Sequence, residues 1–424
     1  MEIYVVQPGD TIYSIARRFG VSAQKLSYDN GVGEDGALAV GQSITVLFPD
    51  RTYTLQNEQS AQSVAQNNGI SAKMLYRNNI FLGGAANVPQ GAQVVINYLE
   101  NAKIPCFLGG YAYDFISQRL LDTVISYMTY LMPFTYGFTE SGELIAPDDE
   151  RLIDTAYRYD VKPLMHLSTL TQYGNFSSSL ADAVLNDPQS TQNLVNNVLN
   201  NVIQKGYYGV DVDFEYLPAA DRDNYTNFIS QLTREMNNNG YICVVAVPPK
   251  ISDSQTGTLY EGVDYAGLGE AADYVFLMTY EWGYRFGPPL PIAPVPSVRR
   301  VIEYALSRIP SEKLILGISN YGYDWTLPFV QGESDAPSLS TETAIELAIR
   351  YGAEIQFDEE NMAPYFYYTD EFSRAHVVWF EDARSYAAKC ALIEEYDLAG
   401  GFIWDLMRRN PQGYVTLNSL LEIE

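Results

Sequence analysis

The sequence predicts an α/β protein: a (β/α)8 TIM barrel with a small α+β insertion between its seventh and eighth strands, preceded by two βααβ modules. Three observations carry this. From residue 104 onward, eight short apolar segments of strand character alternate with helical stretches, the pattern of a parallel barrel. One interval, about 323–380, is too long for a single crossover helix. The first hundred residues repeat at an offset of 49, so that Tyr4, Ile15, Ala16, Gly20, Ser22, Leu26 and Asn30 recur as Tyr53, Val64, Ala65, Gly69, Ser71, Leu75 and Asn79.

Each repeat reads as a short strand (4–6 and 53–55), a helix spaced through Ile12, Ile15, Ala16 and Phe19, a second helix opening at Ser22 or Ser71, and a closing strand (43–47 and 93–97). Asp10 or Thr11, and then Ser22, are suitable helix caps. Units of this size are too small for elaborate chemistry and too regular to be linkers, so they read as binding modules. Through Tyr4-Val5-Val6-Gln7-Pro8-Gly9-Asp10-Thr11, Ile15-Ala16, Leu26, Asn30 and Gly41-Gln42, they resemble the lysin motif (LysM), a module that binds peptidoglycan and chitin. That resemblance implies a glycan groove between Gly9, Asp10, Thr11 and Ile12 on one side and the loop from Asn30 to Leu38 on the other. The second copy departs from the motif on this loop, with Asn57-Glu58-Gln59 where the first has Pro8-Gly9-Asp10. The expected organisation is one module at 1–49, a second at 50–99, and the barrel at 100–424.

Barrel strands are expected at 105–111, 127–135, 161–167, 208–215, 242–247, 274–279, 314–318 and 400–404, with helices such as 225–237, 298–307 and 383–395. The long interval carries its own helix (341–351) and strands (353–358, 364–369, 377–380). An excursion there stands beside the C-terminal rim of the barrel, where such folds place their sites.

Composition narrows the function. The 424 residues are 47% hydrophobic and 18% charged, which supports a large core. A net charge of -26 argues against nucleic acid or an anionic membrane surface as partner. No stretch approaches the ~20 apolar residues of a membrane span, and Met1-Glu2-Ile3-Tyr4 opens neither a basic nor an apolar leader, so no signal peptide is expected in this chain. The 34 tyrosines suit packing and sugar stacking alike. Cys106, Cys243 and Cys390 lie far apart among apolar residues and read as buried thiols. With two histidines and no HExxH or CxxC pattern, neither a metal nor another cofactor is expected.

The most informative stretch is Tyr208-Gly209-Val210-Asp211-Val212-Asp213-Phe214-Glu215. A strand of period two turns Asp211, Asp213 and Glu215 to one face and Val212 and Phe214 to the other. Burying three carboxylates together costs several kcal/mol unless they share protons or find donors, which points to chemistry before any family is named. At the end of a barrel strand Glu215 is a candidate general acid, coupled to Asp213 one pleat below. A retaining glycosidase of the usual kind needs a second carboxylate at ~5–5.5 Å. Strand ends supply Glu281 and Asp405, neither with a comparable acidic neighbourhood.

The run resembles the DxxDxDxE signature of glycoside hydrolase family 18, the chitinases and endo-N-acetylglucosaminidases. The resemblance implies catalysis in which the substrate's 2-acetamido group is the nucleophile, with Glu215 as acid/base, Asp213 orienting the acetamido group, and Asp211 sharing a proton with Asp213. Tyr208 replaces the first aspartate of the signature, at what reads as the buried start of the strand. Met278-Thr279-Tyr280 matches the family's Met-x-Tyr, so Tyr280 is expected to hold the acetamido oxygen, and Trp404 to floor the sugar subsite. Glu281 stands where many members have Asp or Asn.

Tyr280-Glu281-Trp282-Gly283, Asn320-Tyr321-Gly322-Tyr323-Asp324-Trp325 and His376-Val377-Val378-Trp379 look like the spore cortical-fragment-lytic group of that family, which also carries two LysM modules. Tyr321, Asp324 and Glu281 are then expected in sugar subsites, and His376 as a packed residue of the insertion. The expected function is cleavage of β-1,4 bonds after N-acetylglucosamine in peptidoglycan, with spore or cell-wall localisation. The alternatives are a chitinase or chitooligosaccharide hydrolase and a non-catalytic, lectin-like spore-coat protein.

Overall fold

The computed structural model describes residues 1–99, 102–170 and 177–424. The expected junction at residue 100 lies outside the described residues. Eight parallel strands form the barrel: β1 (Ile104–Tyr113), β2 (Tyr130–Phe134), β3 (Lys162–Ser168), β4 (Gly209–Asp213), β5 (Ile242–Val247), β6 (Tyr274–Leu277), β7 (Leu314–Ser319) and β8 (Gly400–Trp404). Each pairs with the next in chain order, and β8 closes on β1 through Gly400 opposite Phe107 to Ile403 opposite Gly110. A short C-terminal strand, Leu421–Ile423, adds to the outer start of β1. The barrel is filled by Phe107, Tyr111, Tyr130, Met132, Leu164, Val244, Phe276, Ile315 and Phe402, so it is a packed core rather than a pore. A second apolar layer, including Val210, Val212 and Phe214, lies between strands and helices. No helix among the described residues is long and apolar enough to cross a membrane.

Both N-terminal repeats fold as strand, helix, helix, strand, with antiparallel outer strands pairing Tyr4 to Ile44 and Tyr53 to Val94. Gly20 and Gly69 end the first helices at φ 69° and 75°, a left-handed conformation that favours glycine. The repeated asparagine explains itself. Asn30 accepts from Thr45 N–H at 2.7 Å and donates to its carbonyl at 2.9 Å, and Asn79 does the same to Val95 at 2.8 Å each way. Each clasps the end of the second helix to the closing strand.

The modules are packed onto the barrel rather than strung from it. Gln412 donates to Ser43 O and Asn30 Oδ1, and Thr45 and Thr416 hydroxyls meet at 2.7 Å, so the first module is sewn to the C-terminal helix Pro411–Leu420. Its loop also reaches the insertion, where Ile355 N–H donates to Val40 O. Buried Arg77 fixes the second module by donating to the carbonyls of Ser126 and Ile423.

The insertion is a five-stranded antiparallel sheet backed by the helix Thr341–Tyr351. Its strand Gly322–Thr326 pairs with Ala375–Trp379, with Tyr323 opposite Trp379 and Asp324 opposite Val378. By the two-residue period, Tyr323, Trp325, Val377 and Trp379 share one face, and Asp324, His376 and Val378 the other.

Candidate active site

The floor of the site is built by β4, whose alternation aims Asp211 and Asp213 into the barrel while Val210 and Val212 face the helices. The strand ends at Asp213, so Glu215 stands in the loop just above rather than on the strand itself, and the next residue, Tyr216, takes φ 57°. Asp211 is fully buried and accepts from the Tyr111 hydroxyl of β1 at 2.8 Å. His166 of β3 lies alongside, its Nε2 3.8 Å from Asp211 Oδ2 and 3.9 Å from Asp213 Oδ2, and its Nδ1 2.6 Å from Thr135 Oγ1. Asp211 Oδ1 and Asp213 Oδ1 have no hydrogen-bond partner among the described residues.

Burial therefore dominates the electrostatics, disfavouring the charged form of each group. It pushes the Asp211 carboxyl up to about 7, against the Tyr111 hydrogen bond. Asp213 is raised well above the usual carboxylate range by burial and then by the charges of Glu215 and Asp211. Glu215 is lifted to about 6 by burial and by Glu281. His166 is pushed down to about 3 by burial, which leaves a neutral imidazole beside the carboxyl groups.

Above this floor opens a cleft of about 520 Å³, reaching Asp213, Glu215, Met278, Tyr280, Glu281 and Trp404. Trp404, Tyr113 and Phe134 form an aromatic corner, with the Trp404 and Phe134 ring centroids 4.9 Å apart and Tyr113 and Phe134 4.9 Å apart. Glu281, at φ 66°, accepts from Tyr321 at 2.5 Å and Tyr323 at 3.0 Å. Two hydroxyls thus hold the carboxylate whose charge helps to lift Glu215.

The structure brings Asp211, Asp213, Glu215, Tyr280, Glu281, Tyr321 and Trp404 together, and it separates two expected residues from any sugar. Asp324 lies one pleat from the cleft face. Its carboxylate is turned into the insertion, accepting from Tyr368 at 2.6 Å and meeting His376 Nδ1 at 2.9 Å. Tyr323, its neighbour on the other face, is the residue that reaches the site. Asn30 is 3% exposed and occupied by the clasp described above, so its side chain is unavailable to a glycan. Of the first module's loop, Ile12 is buried in the module core and Thr11 caps the helix Ile12–Phe19. Asp10 accepts from Tyr4 and Gln7 N–H, and Gly9 is exposed. Tyr208 also departs from expectation: it precedes β4 and is 39% exposed, with the Lys162 ammonium 4.7 Å over its ring. Tyr111, His166, Tyr113 and Phe134 are further residues of the site that the run does not reveal: they come from three other strands, His166 as the register partner of Asp211, Phe134 as that of Tyr113, and Tyr111 from across the barrel.

Comparison with known proteins agrees with this geometry. Residues 113–408 match the model of glycosyl hydrolases family 18, and residues 4–46 match that of the LysM domain. One LysM domain is identified, not the two expected. The cortical fragment-lytic enzyme of Bacillus subtilis (strain 168) is 34% identical over 100% of this chain and 99% of its own length. The crystal structure of the spore cortex-lytic enzyme SleL of Bacillus megaterium superposes with a TM-score of 0.84 at 35% identity, covering 100% of this chain and 98% of that one. A chitinase from Chromobacterium violaceum gives 0.70 at 26% identity, over 75% of this chain and 100% of its own. With its acidic floor at the C-terminal mouth of a closed barrel and a family match across most of its length, this chain belongs to glycosyl hydrolases family 18 and is a glycoside hydrolase.

Proposed function

We propose that the protein cuts the glycan of spore cortex peptidoglycan after N-acetylglucosamine, retaining configuration through the substrate's own acetamido group. The observation that carries the mechanism is the state of the carboxylates around the cleft. Asp213 keeps an oxygen at the floor that has no partner among the described residues, whereas Glu281 is held by two tyrosine hydroxyls and so is poorly placed to attack a sugar. With Glu281 so held, the cleft fits the substrate-assisted scheme of the family, in which the acetamido group of the sugar is the nucleophile.

Glu215, protonated below about 6, gives its proton to the glycosidic oxygen as the C1–O bond breaks. The acetamido oxygen bonds to C1, forming an oxazolinium. Asp213 accepts the acetamido N–H and offsets the new positive charge, while the proton it shares with Asp211 keeps two adjacent buried carboxylates from ionising together. Tyr280 holds the acetamido oxygen in position, and Trp404 floors the sugar. The Glu215 carboxylate then takes a proton from water, whose oxygen attacks C1 and opens the ring. Two inversions give net retention.

Cortex is favoured as substrate by the end-to-end coverage of the relatives named for cortical fragments and cortex lysis. The LysM match supports attachment to the same polymer, and with it association with spore or wall. Residues 50–99 are assigned as a second, diverged LysM module because they repeat the outer strands, the two helices, the glycine that ends the first helix and the asparagine clasp of the first. The resulting division is 1–49, 50–99 and 100–424, with about 323–380 inserted. Mass spectrometry of fragments released in parallel from spore cortex, vegetative peptidoglycan and chitin tests the reading. Cortex muropeptides ending in a reducing N-acetylglucosamine are expected; release from chitin alone overturns it.

A further inference from the structure

Two hollows away from the catalytic cleft meet at one aromatic pair. The first, about 400 Å³, lies between the modules, and the second, about 480 Å³, lies between the second module and the barrel. Tyr28 of the first module and Phe81 of the second line both, their rings stacked with centroids 5.4 Å apart and planes 22° apart. Tyr28 is 40% exposed and receives the Gln24 amide at its hydroxyl. The second hollow is also lined by Ser117, Arg119 and Arg409. Arg409 pairs with Glu342 at 2.8 Å, but exposed Arg119 makes no ion pair among the described residues, although acids outnumber bases two to one in this chain.

Residues 113–117 join the cleft, which Tyr113 lines, to this second hollow, which Ser117 lines. Tyr113 at the cleft packs against Trp404 on one side and Phe115 on the other, with centroids 5.1 Å apart in the latter pair, and Phe115 is 73% exposed. Ser117 follows two residues later, at most ~7 Å along the chain. Trp404, Tyr113, Phe115, Arg119, Phe81 and Tyr28 thus follow one another from the cleft to the module junction, on modules packed against the barrel.

We propose that this path is a polymer-binding groove, distinct from the Gly9–Ile12 loop, that takes a carboxylate-bearing amino-sugar strand running from the cleft to the module junction. It rests on the peptidoglycan reading above. The stacked rings offer flat apolar surface to sugar faces, as amphipathic aromatic platforms do. Arg119 supplies the charge that separates a strand carrying lactyl or peptide carboxylates from neutral chitin. Each hollow falls within the volume range of ordinary ligand sites.

The test uses full-length protein carrying Glu215→Gln, so that polymer is not cut during binding to insoluble peptidoglycan sacculi and to chitin. Adding Tyr28→Ala with Phe81→Ala is expected to weaken binding to both polymers about tenfold, and Arg119→Glu to weaken sacculus binding about threefold, more at low salt, while leaving chitin binding unchanged. Phe372→Ala, on the insertion and 71% exposed, is the control and should bind like the parent. Melting temperatures confirm that the variants fold, and the surface change Arg119→Glu remains informative if the double variant does not. Sacculus binding by the folded double variant within twofold of the parent overturns the groove alone. A parent that binds chitin but not sacculi overturns the peptidoglycan reading together with it.

Discussion

The barrel floor and the insertion sheet each bury one of the two histidines between two aspartates, and the two clusters treat their acids oppositely. In the insertion, Asp324 is met by Tyr368 and His376. Asp370 accepts from the Phe372 and Arg374 backbone N–H groups and the Arg374 guanidinium; although burial opposes it, these donors hold its carboxyl down to about 2. In the floor, Asp211 and Asp213 each keep an oxygen without a partner among the described residues, and both carboxyls are pushed up. A cluster whose acids are satisfied holds structure. One whose acids are left short of donors, at the mouth of a cleft, is prepared to take hydrogen bonds from a substrate.

That contrast can be broken by substitution, and the largest effect belongs to Glu215. Glu215→Gln removes the proton donor with little change of shape, so hydrolysis should fall by about 10²–10⁴-fold while polymer binding persists, measured by reducing-end release and by pull-down. Asp213→Asn removes the negative charge that offsets the oxazolinium and turns one acceptor oxygen into a donor, and should cost about 10²-fold or more in kcat with KM changed far less; a variant turning over at the wild-type rate would refute the role of Asp213.

The next effect is one of pH. The general acid works protonated, so kcat should decline as pH rises through about 6, the value to which Glu215 is lifted. Stability has the same sign. Because the folded state binds the Asp211 proton more tightly than the unfolded chain does, its contribution is full below about 4 and is lost as pH rises through about 7. Asp211→Asn keeps an acceptor for Tyr111 and should flatten the fall in melting temperature between pH 5 and 8; the native group's contribution is on the order of 4 kcal/mol. An equally steep fall in the variant would place the titration elsewhere. The smallest effect should come from the satisfied cluster. Asp324→Asn is expected to cost about 1–2 kcal/mol of stability, read from denaturant unfolding, and to leave kcat within twofold.

How much of this was legible in the sequence follows from which features are local. The alternation of β4, the helical spacing of the repeats and the long interval after Tyr323 are properties of short windows, and they give the acidic floor, the modules and the insertion. Asp324 is expected at a sugar from the resemblance alone, because sequence shows that a strand alternates but not which face meets the barrel; Tyr323, one residue earlier, is on that face. The recurrence of Asn30 is visible in sequence, whereas its partner Thr45 lies 15 residues on. His166 meets Asp211 through the pairing of neighbouring strands 45 residues apart in sequence, and Tyr111 from 100 residues away across the barrel, distances no local window spans. The bond from Gln412 to Ser43 spans 369 residues, beyond any local pattern.

The central claim is that the acetamido oxygen, and not a protein carboxylate, attacks C1 above Asp213. It is tested most directly by hydrolysing aryl glycosides of N-acetylglucosamine oligomers whose cleaved residue carries N-acetyl, N-fluoroacetyl, N-difluoroacetyl or N-trifluoroacetyl groups. Fluorine withdraws electrons from the attacking oxygen, so kcat/KM should fall stepwise with each one added. Equal rates across the series would contradict the account and return the nucleophile to the protein, with Glu281 the first residue to examine.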